Sequence, residues 1–417
     1  MLRAYHAGRD AGHRARERAL VAAGLDLTLV VPRVWPERGM EQTLSAEPFR
    51  IVELDVVRAG DVNRHRWAED LRQVLDDVRP DVLDVHEEPF SLAMRQWLAV
   101  AGRVPVVGYT AQNVDKRFPP PYAQYETRAH ARLDGIYACS RQAASVTRGK
   151  GFGRVLEVIP LGREAGRLTV GTQTLGPVLS LGLVGRLVPE KGVLDAVRVL
   201  AAIAPLRPAR LVVVGDGPEA GPAQELAASL SVADRLELHP WVDATAMAEL
   251  YRGMDVVLLP STASQTWTEQ FGRVIVEAQA AGAAVVGYAS GSIPEVLGTA
   301  GIVVPEGDHA ALATAVQAVT TDEATFQRYR AAGLQRVELL TWDHIATQQL
   351  ALYERVLTRP ERTPLPTSGA ARRRLAVQEF GPTAPLAGGV TRPFALPVLR
   401  KDTGWTRALG RGIDLFS

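Results

Sequence analysis

The sequence predicts an α/β protein of two domains, each built on an open parallel sheet. Length comes first: 417 residues exceed one typical domain of roughly 100–200 residues. Apolar strand-like runs then alternate with helix-like stretches, the pattern of βαβ units. Finally, the stretch Leu161–Pro177 (LGREAGRLTVGTQTLGP) carries several Gly, has no helical or strand period, and divides the alternation in two.

In the first half, 1–160, the expected strands are Leu2–Tyr5, Leu27–Val31, Ile51–Val56, Val82–Val85, Val104–Val107, Gly135–Ala138 and Leu156–Ile159. Helices are expected from about Ala11 to Ala23, where Gly24 ends the helix, and over Arg66–Val78, Ser91–Val100, Tyr122–Arg132 and Arg141–Lys150. Residues 161–177 are the linker. The second domain, 178–341, starts with strand Leu179–Val184 and helix Gly192–Ile203. Strand Arg210–Val214, helix Pro222–Ala228, strand Leu236–His239, helix Thr245–Arg252 and strand Val256–Leu259 follow. It closes with helix Arg273–Ala281, strands Ala284–Val286 and Gly301–Val304, and helices Ala310–Ala318 and Glu323–Ala332. A last amphipathic helix occupies 342–358. Residues 359–417 are rich in Pro, Gly and Arg, with ten Lys/Arg against four Asp/Glu, and are expected to be a poorly ordered tail. That tail is either simply solvated or a contact for anionic lipid.

Composition removes several classes. The net charge is +1 and gives no field for nucleic acid. Apolar residues make up 47% of the chain, enough for large cores. The single cysteine, Cys139, excludes an intramolecular disulfide framework and Cys-rich zinc sites. No run of about 18 apolar residues marks a membrane span. The charged start MLRAYHAGRDAGHRARER has no apolar centre of a signal peptide. A cytoplasmic protein is expected, with peripheral contact at the membrane's inner face as an option.

Ligands of open parallel sheets bind outside the carboxyl ends of the strands, so the loops there carry the interest. GRLVPEKG, Gly185–Gly192, follows a strand and precedes a helix. Gly185 permits a tight turn. Arg186 and Lys191 add two cations to a helix N-terminus that already favours anions, a combination suited to a diphosphate. The alternative is a surface loop with two solvated charges. GDGPE, Gly215–Glu219, lacks the spacing of a dinucleotide fingerprint and is expected to be a simple turn.

The densest segment is TEQFGRVIVEAQAAGAAVVGYASGSIPEV. Glu269 stands just before a helix start at Gly272, and Glu277 follows eight residues later inside that helix. Val274, Ile275, Val276 and Ala278 surround Glu277 in sequence, and a carboxylate among apolar neighbours needs a partner. Sugar hydroxyls suit it, because an ionised carboxylate only accepts. The backbone N–H groups of Gln270, Phe271 and Gly272 can meet phosphate or sugar oxygens. Ser290-Gly291-Ser292 forms a second Gly-containing loop after the next strand.

Through these residues the sequence resembles the retaining glycosyltransferases of family 4. The resemblance rests on Gly185–Gly192, on EQFGRVIVE at Glu269–Glu277 and on SGSIPEV at Ser290–Val296. It implies the GT-B fold, two Rossmann-like domains facing a cleft, and transfer from a nucleoside diphosphate sugar with retention of configuration. It also implies that Glu269 contacts the donor sugar near the reacting carbon, that Glu277 binds the ribose, and that Arg186 and Lys191 hold the diphosphate. Glu269, Arg186 and Lys191 are thus the catalytic candidates. Gly185, Gln270, Phe271, Gly272 and Glu277 complete the donor site.

The first domain departs from the family pattern. Its first loop, Tyr5–Arg14, has only Gly8 and Gly12, with His6, His13 and Arg14 as acceptor or phosphate candidates. The alternative is a solvated helix start. Thr110-Ala111-Gln112-Asn113 stands where many members carry a His. His86, beside Glu87 and Glu88, is an acceptor candidate by position alone, and Ser140 is expected to cap a helix. The acceptor is a sugar, a lipid-linked molecule or a small molecule. No Asp-x-Asp run lies near the donor loops, so no metal and no tightly bound cofactor is required. Two other readings are a GT-B nucleotide-sugar epimerase and a catalytically degenerate scaffold that only binds the nucleotide sugar.

Overall fold

The computed structural model describes residues 1–36, 44–164, 170, 174–358 and 364–381. The chain divides into two compact units. Among the described residues, unit 1 takes 1–162 and returns at Trp342, and unit 2 takes Arg163–Thr341.

Unit 1 opens with β1 (Leu2–Ala4), α1 (Ala15–Ala22), β2 (Thr28–Pro32), β3 (Arg50–Leu54) and the short strands β4 (Val56–Val57) and β5 (Arg66–Trp67). Next come α2 (Leu71–Val78), β6 (Leu83–Val85), α3 (Leu92–Val100), β7 (Val106–Thr110), α4 (Tyr122–Arg132), β8 (Gly135–Ala138), α5 (Arg141–Gly149) and β9 (Val155–Val158). The main sheet runs β3-β2-β1-β6-β7-β8-β9, parallel throughout. Its order turns back at β1, so the carboxyl ends of β1 and β6 form the switch point of the sheet.

Unit 2 contains β10 (Leu179–Val184), α6 (Val193–Ile203), β11 (Ala209–Val214), α7 (Ala220–Ser229), β12 (Leu236–His239), α8 (Ala244–Arg252) and β13 (Val256–Leu259). It continues through α9 (Arg273–Ala281), β14 (Ala284–Tyr288), α10 (Ile293–Leu297), β15 (Ile302–Val304), α11 (His309–Val319) and α12 (Glu323–Glu338). Its parallel sheet runs β12-β11-β10-β13-β14-β15, with the switch point between β10 and β13. Near-continuous apolar strands such as LVVV in β11 are buried on both faces, as helix-covered parallel sheets require. The core gathers Leu179, Leu181, Leu211, Val213, Val256 and Val286 under α6 and α11.

The chain then returns to unit 1 as α13 (Trp342–Leu357) and α14 (Gly369–Phe380). Tyr353 of α13 donates to Asp84, which also pairs with Arg3 at 3.2 Å. Gly135 gives α13 room, because a Cβ there would lie 2.7 Å from Val356 Cγ2.

Three local departures from the expected elements have clear causes. The helix expected from Arg66 starts at Leu71, where the Asp70 side chain caps it by accepting from Arg72 N; Arg66–Trp67 pairs instead with Val56–Val57. The Ser290–Ser292 loop runs straight into α10, which Pro294 helps to start. The third lies in the expected tail, where α14 is an ordered helix on α5. Arg148 of α5 holds Glu379 of α14 with two bonds of 2.8 Å, and Phe380 is buried in the unit 1 core. The tail expectation over 359–363 and 382–417, and the linker over 165–169 and 171–173, lie outside the described residues.

Candidate functional site

Of the loops that leave the carboxyl edge of the unit 2 sheet, those after β10, β11, β13 and β14 build the candidate site. The first holds Gly185, Arg186 and Lys191; Pro189–Lys191 form one 3-10 turn, and Gly192 caps α6 in the left-handed region, φ 69°. Behind it packs the loop GDGPE. A Cβ on Gly215 would lie 1.9 Å from Gly185 O, and one on Gly217 2.2 Å from Leu187 O. Leu187 N donates to Asp216 O and Glu219 N to Leu187 O, both at 2.9 Å. GDGPE is thus a turn, as expected, and it also serves as backing for the Arg186/Lys191 loop.

Lys191 and Glu269 meet across the switch point. Lys191 Nζ donates to Glu269 Oε2 at 2.8 Å, and Ser261 Oγ donates to the same oxygen at 3.0 Å. Glu269 is buried, and the Lys191 ammonium lies 4.9 Å from the centre of the Trp267 ring. Arg186 is half-buried at the start of the same loop as Lys191. From behind, Ser292 N donates to Glu269 O at 2.9 Å. Gln270, Phe271 and Gly272 lead into α9, with Gly272 as its left-handed cap, φ 82°. Phe271 is 1% exposed, so its side chain is packing and only its backbone can serve a ligand.

Glu277 lies one turn into α9 and is not enclosed by its apolar sequence neighbours. Its side chain is 31% exposed, while Ile275, Val276 and Ala278 turn to the core. It has a protein partner: Tyr251 Oη donates to Glu277 Oε2 at 2.8 Å, and Arg273 stands 3.8 Å from Oε1. Burial, then the Glu277 charge, raises the Tyr251 pKa well above the ordinary phenol value, which keeps the hydroxyl a donor.

In unit 1 several sequence candidates turn out to be structural. Arg14 is fully buried and donates to Gly8 O at 2.7 Å and Arg9 O at 2.6 Å. It therefore shapes the first loop and is neither solvated nor aimed at a ligand. His13 is half-buried in a 3-10 turn. His86 is an interior ring, stacked on Tyr109 at 4.0 Å and 2.7 Å from Tyr137 Oη through Nδ1. Burial and the nearby Arg16 and Arg3 lower its pKa well below the ordinary imidazole value, so it stays neutral. Ser140 caps α5, accepting from Ala143 N. Thr110 ends β7 and donates to Glu88 at 2.8 Å; burial pushes the Glu88 pKa up to about 7.

Ser261, Trp267 and Tyr251 were not singled out from the sequence, nor was His65, which gathers with His6 and Glu87. Ser261 and Trp267 stand in the loop between β13 and Glu269, and position after a strand was the signal available. Tyr251 sits on the helix before β13, and nothing local in the sequence links it to Glu277.

Comparisons with known proteins agree with this architecture. A profile described as Glycosyl transferases group 1 matches residues 179–336, and one described as Glycosyltransferase Family 4 matches residues 17–167. The D-inositol 3-phosphate glycosyltransferase of Jonesia denitrificans is 32% identical over 203 residues, 46% of this chain and 46% of that protein. The phosphatidyl-myo-inositol mannosyltransferase of Mycobacterium leprae is 29% identical over 298 residues, 69% of this chain and 77% of that protein. The chain spans under half the length of the first relatives it matches, 46% and 44%. Sucrose-phosphate synthase from Thermosynechococcus elongatus superposes with a TM-score of 0.66 at 20% identity, over 86% of this chain and 99% of that one. Anabaena HepE in complex with UDP and glucose gives 0.65 at 16% identity, over 85% and 98%. These structural likenesses establish the fold. With a matching profile on each half, the chain carries a Glycosyltransferase Family 4 domain over residues 17–167 and a Glycosyl transferases group 1 domain over residues 179–336, and it has the GT-B fold.

Proposed function

We propose that the chain transfers a sugar from a nucleoside diphosphate sugar to a hydroxyl acceptor with retention of configuration, holding the donor on unit 2. The observation that carries this reading is the contact of Lys191 with Glu269. Residues 78 apart in sequence meet at 2.8 Å at the switch point of an open parallel sheet, beside the N-terminus of α6. Glu269 accepts from the sugar. Lys191, Arg186 and the helix N-terminus stabilise the charge that develops on the departing diphosphate. The amides of Gln270, Phe271 and Gly272 serve anionic oxygens, and Glu277, steadied by Tyr251, accepts from the ribose hydroxyls.

Two cations and a helix terminus meet the leaving charge, so transfer needs no divalent metal at the donor. The names of relatives include acceptors built on inositol and on 2-deoxystreptamine, so a cyclic polyol, free, phosphorylated or lipid-linked, is the acceptor class to test first. No helix among the described residues is long and apolar enough to cross a membrane; association with the cytoplasmic face, through basic residues of 359–417, is proposed on charge alone.

The test incubates the protein with a panel of nucleotide sugars and cyclic polyols and follows products by NMR. Transfer with the donor's anomeric configuration, abolished in Glu269→Ala, is expected. An inverted anomer removes retention, and an epimerised donor in the absence of acceptor replaces transfer by epimerisation. Thermal shifts identify the donor, because a ligand of the folded state raises stability.

A further inference from the structure

We infer that unit 1 holds a divalent transition-metal site, with zinc as the fitting ion, ligated by His6, His65 and Glu87. The ligand atoms of these residues lie within 4.8 Å of one another, and all three residues are buried.

The register of the sheet creates the site. β1 and β6 are parallel neighbours with Ala4 opposite Val85. His6 and Glu87 are each two residues beyond those partners, so they emerge side by side at the carboxyl edge. His86 N donating to Ala4 O at 2.9 Å fixes that alignment. His65 arrives from the turn before β5, where its backbone N donates to Asp61 O at 2.8 Å.

The hydrogen bonds leave a space of electron pairs. His65 Nδ1 lies 3.0 Å from Val62 O and 3.3 Å from Asp61 O. Two carbonyls accept, so Nδ1 carries the hydrogen and Nε2 carries the lone pair. That Nε2 is buried, lacks a hydrogen-bond partner and stands 3.8 Å from Glu87 Oε1. Glu87 Oε2 is also buried without a hydrogen-bond partner. Two acceptors thus face each other in the interior, an arrangement that costs free energy unless a cation lies between them. A backbone carbonyl on the far nitrogen is also how metal-ligating imidazoles are usually oriented.

The donor set selects the ion. Two imidazoles and a carboxylate suit zinc and its neighbours, whereas magnesium and calcium prefer all-oxygen sites. Bonds of about 2.0–2.2 Å to a tetrahedral centre put ligand atoms about 3.4 Å apart. The His65–Glu87 separation of 3.8 Å is near that value, and the His6 Nδ1–Glu87 Oε1 separation of 2.7 Å is shorter. Binding therefore opens that contact, and the hydrogen on His6 Nδ1 passes to Nε2 of the same ring so that the neutral imidazole offers Nδ1 to the ion. The rings of Trp35 and Trp67, 5.1 and 5.9 Å from His65, wall the site with apolar surface. The ion ties the first loop after β1 to the turn before β5 at the switch point of the sheet. It is separate from the residues assigned to the donor.

The test uses the full chain without an affinity tag, equilibrated with equimolar zinc, dialysed and analysed by plasma mass spectrometry. About one zinc per chain is expected, with at least a tenfold weaker Kd in His65→Ala and in Glu87→Gln. Because those variants could lose their fold, X-ray absorption of the zinc-loaded wild type supplies a second measurement: a first shell of nitrogen and oxygen with two imidazoles and no sulfur. No zinc retained by the folded wild type, equal retention by folded variants, or a shell with fewer than two imidazoles overturns the site.

Discussion

The carbonyl oxygen of Glu269 lies 2.0 Å from the place a Cβ on Gly291 would occupy. Gly291 also has φ 52°, in the left-handed region. The loop after β14 can therefore press its backbone against Glu269 only because it carries no side chain there, and Ser292 N then bonds Glu269 O. Gly291→Ala must push the two loops apart. It is expected to cut transfer at least tenfold and to cost about 1–3 kcal/mol in urea unfolding. Gly221 in α7 is the control: a Cβ there meets nothing within 4 Å, and Gly221→Ala should be neutral or stabilising by up to about 1 kcal/mol.

Lys191 serves two partners in the proposed reaction, Glu269 and the leaving diphosphate. Lys191→Ala should lower kcat by about 10²–10³-fold, the usual effect of losing one group that stabilises developing charge. Lys191→Arg keeps the charge but not the single-point geometry and should recover only part of it. Steady-state kinetics on the two variants is the check. A Lys191→Ala enzyme within a few-fold of wild type removes Lys191 from catalysis.

Tyr251 never needs to touch the donor to affect it. Its hydroxyl fixes one oxygen of Glu277 at 2.8 Å, leaving the other side of the carboxylate for the ribose. Tyr251→Phe should weaken nucleotide binding by about 5-fold, less than the ~1.5–3 kcal/mol of a hydrogen bond to a charged group, because the bond steadies Glu277 and does not touch the ligand. Glu277→Ala should weaken it more, and the double variant should match Glu277→Ala. Calorimetry with the nucleoside diphosphate measures all three. Additive losses in the double variant would mean that Tyr251 acts by another route.

How far the sequence reached follows from these cases. Strand ends such as Leu179–Val184 and Val256–Leu259 were legible because fully buried parallel strands are uninterrupted apolar runs. Arg186, Lys191 and Glu269 could be picked out because they follow such strands at a helix start, and Glu277 because it is a carboxylate among apolar neighbours inside that helix. The pairing of Lys191 with Glu269 was not legible, since it depends on β10 and β13 being neighbours. Arg14 misled for the opposite reason: a cation at the end of a loop looks like a ligand contact until its bonds to Gly8 and Arg9 are seen. His65 lies in a polar turn with no strand pattern around it, and only the β1–β6 register brings His6 and Glu87 to it.

Asp255 offers a test in pH. It begins the approach to β13, is 8% exposed, and its Oδ2 accepts from Ser180 N at 2.8 Å. Burial raises its pKa above the ordinary value, against the opposing Ser180 bond and the charges of Arg207 and Arg210. A carboxyl with a raised folded-state pKa costs stability once the pH has risen through that pKa. Below the unfolded value of about 3.9 the cost is gone. Asp255→Asn keeps an acceptor for Ser180 and removes the charge. Its stability relative to wild type should be highest near pH 7 and fall towards pH 4, read from urea midpoints at both. The reverse trend would show that the charge is net favourable.

The helix α14 should carry real stability, because α5 would have an exposed face without it. Residues Gln142–Arg148 of α5 are buried in succession, on every side of the helix, and a helix of nine residues cannot bury all its faces against one sheet. The second cover is α14: Glu379 takes both bonds from Arg148, Phe380 enters the core, and Arg373 packs where Gly149 has no side chain. Ending the chain after residue 367 uncovers this surface and leaves the Arg148 guanidinium, 4% exposed at present, without its carboxylate. The truncated chain should melt several degrees lower by circular dichroism, each kcal/mol being worth about 2–4 °C in a domain of this size. Glu379→Ala in the full chain should cost about 1 kcal/mol, since its carboxylate is partly solvated. An unchanged melting temperature on truncation would mean that α5 is stable with that face open, and that α14 rests on unit 1 without supporting it.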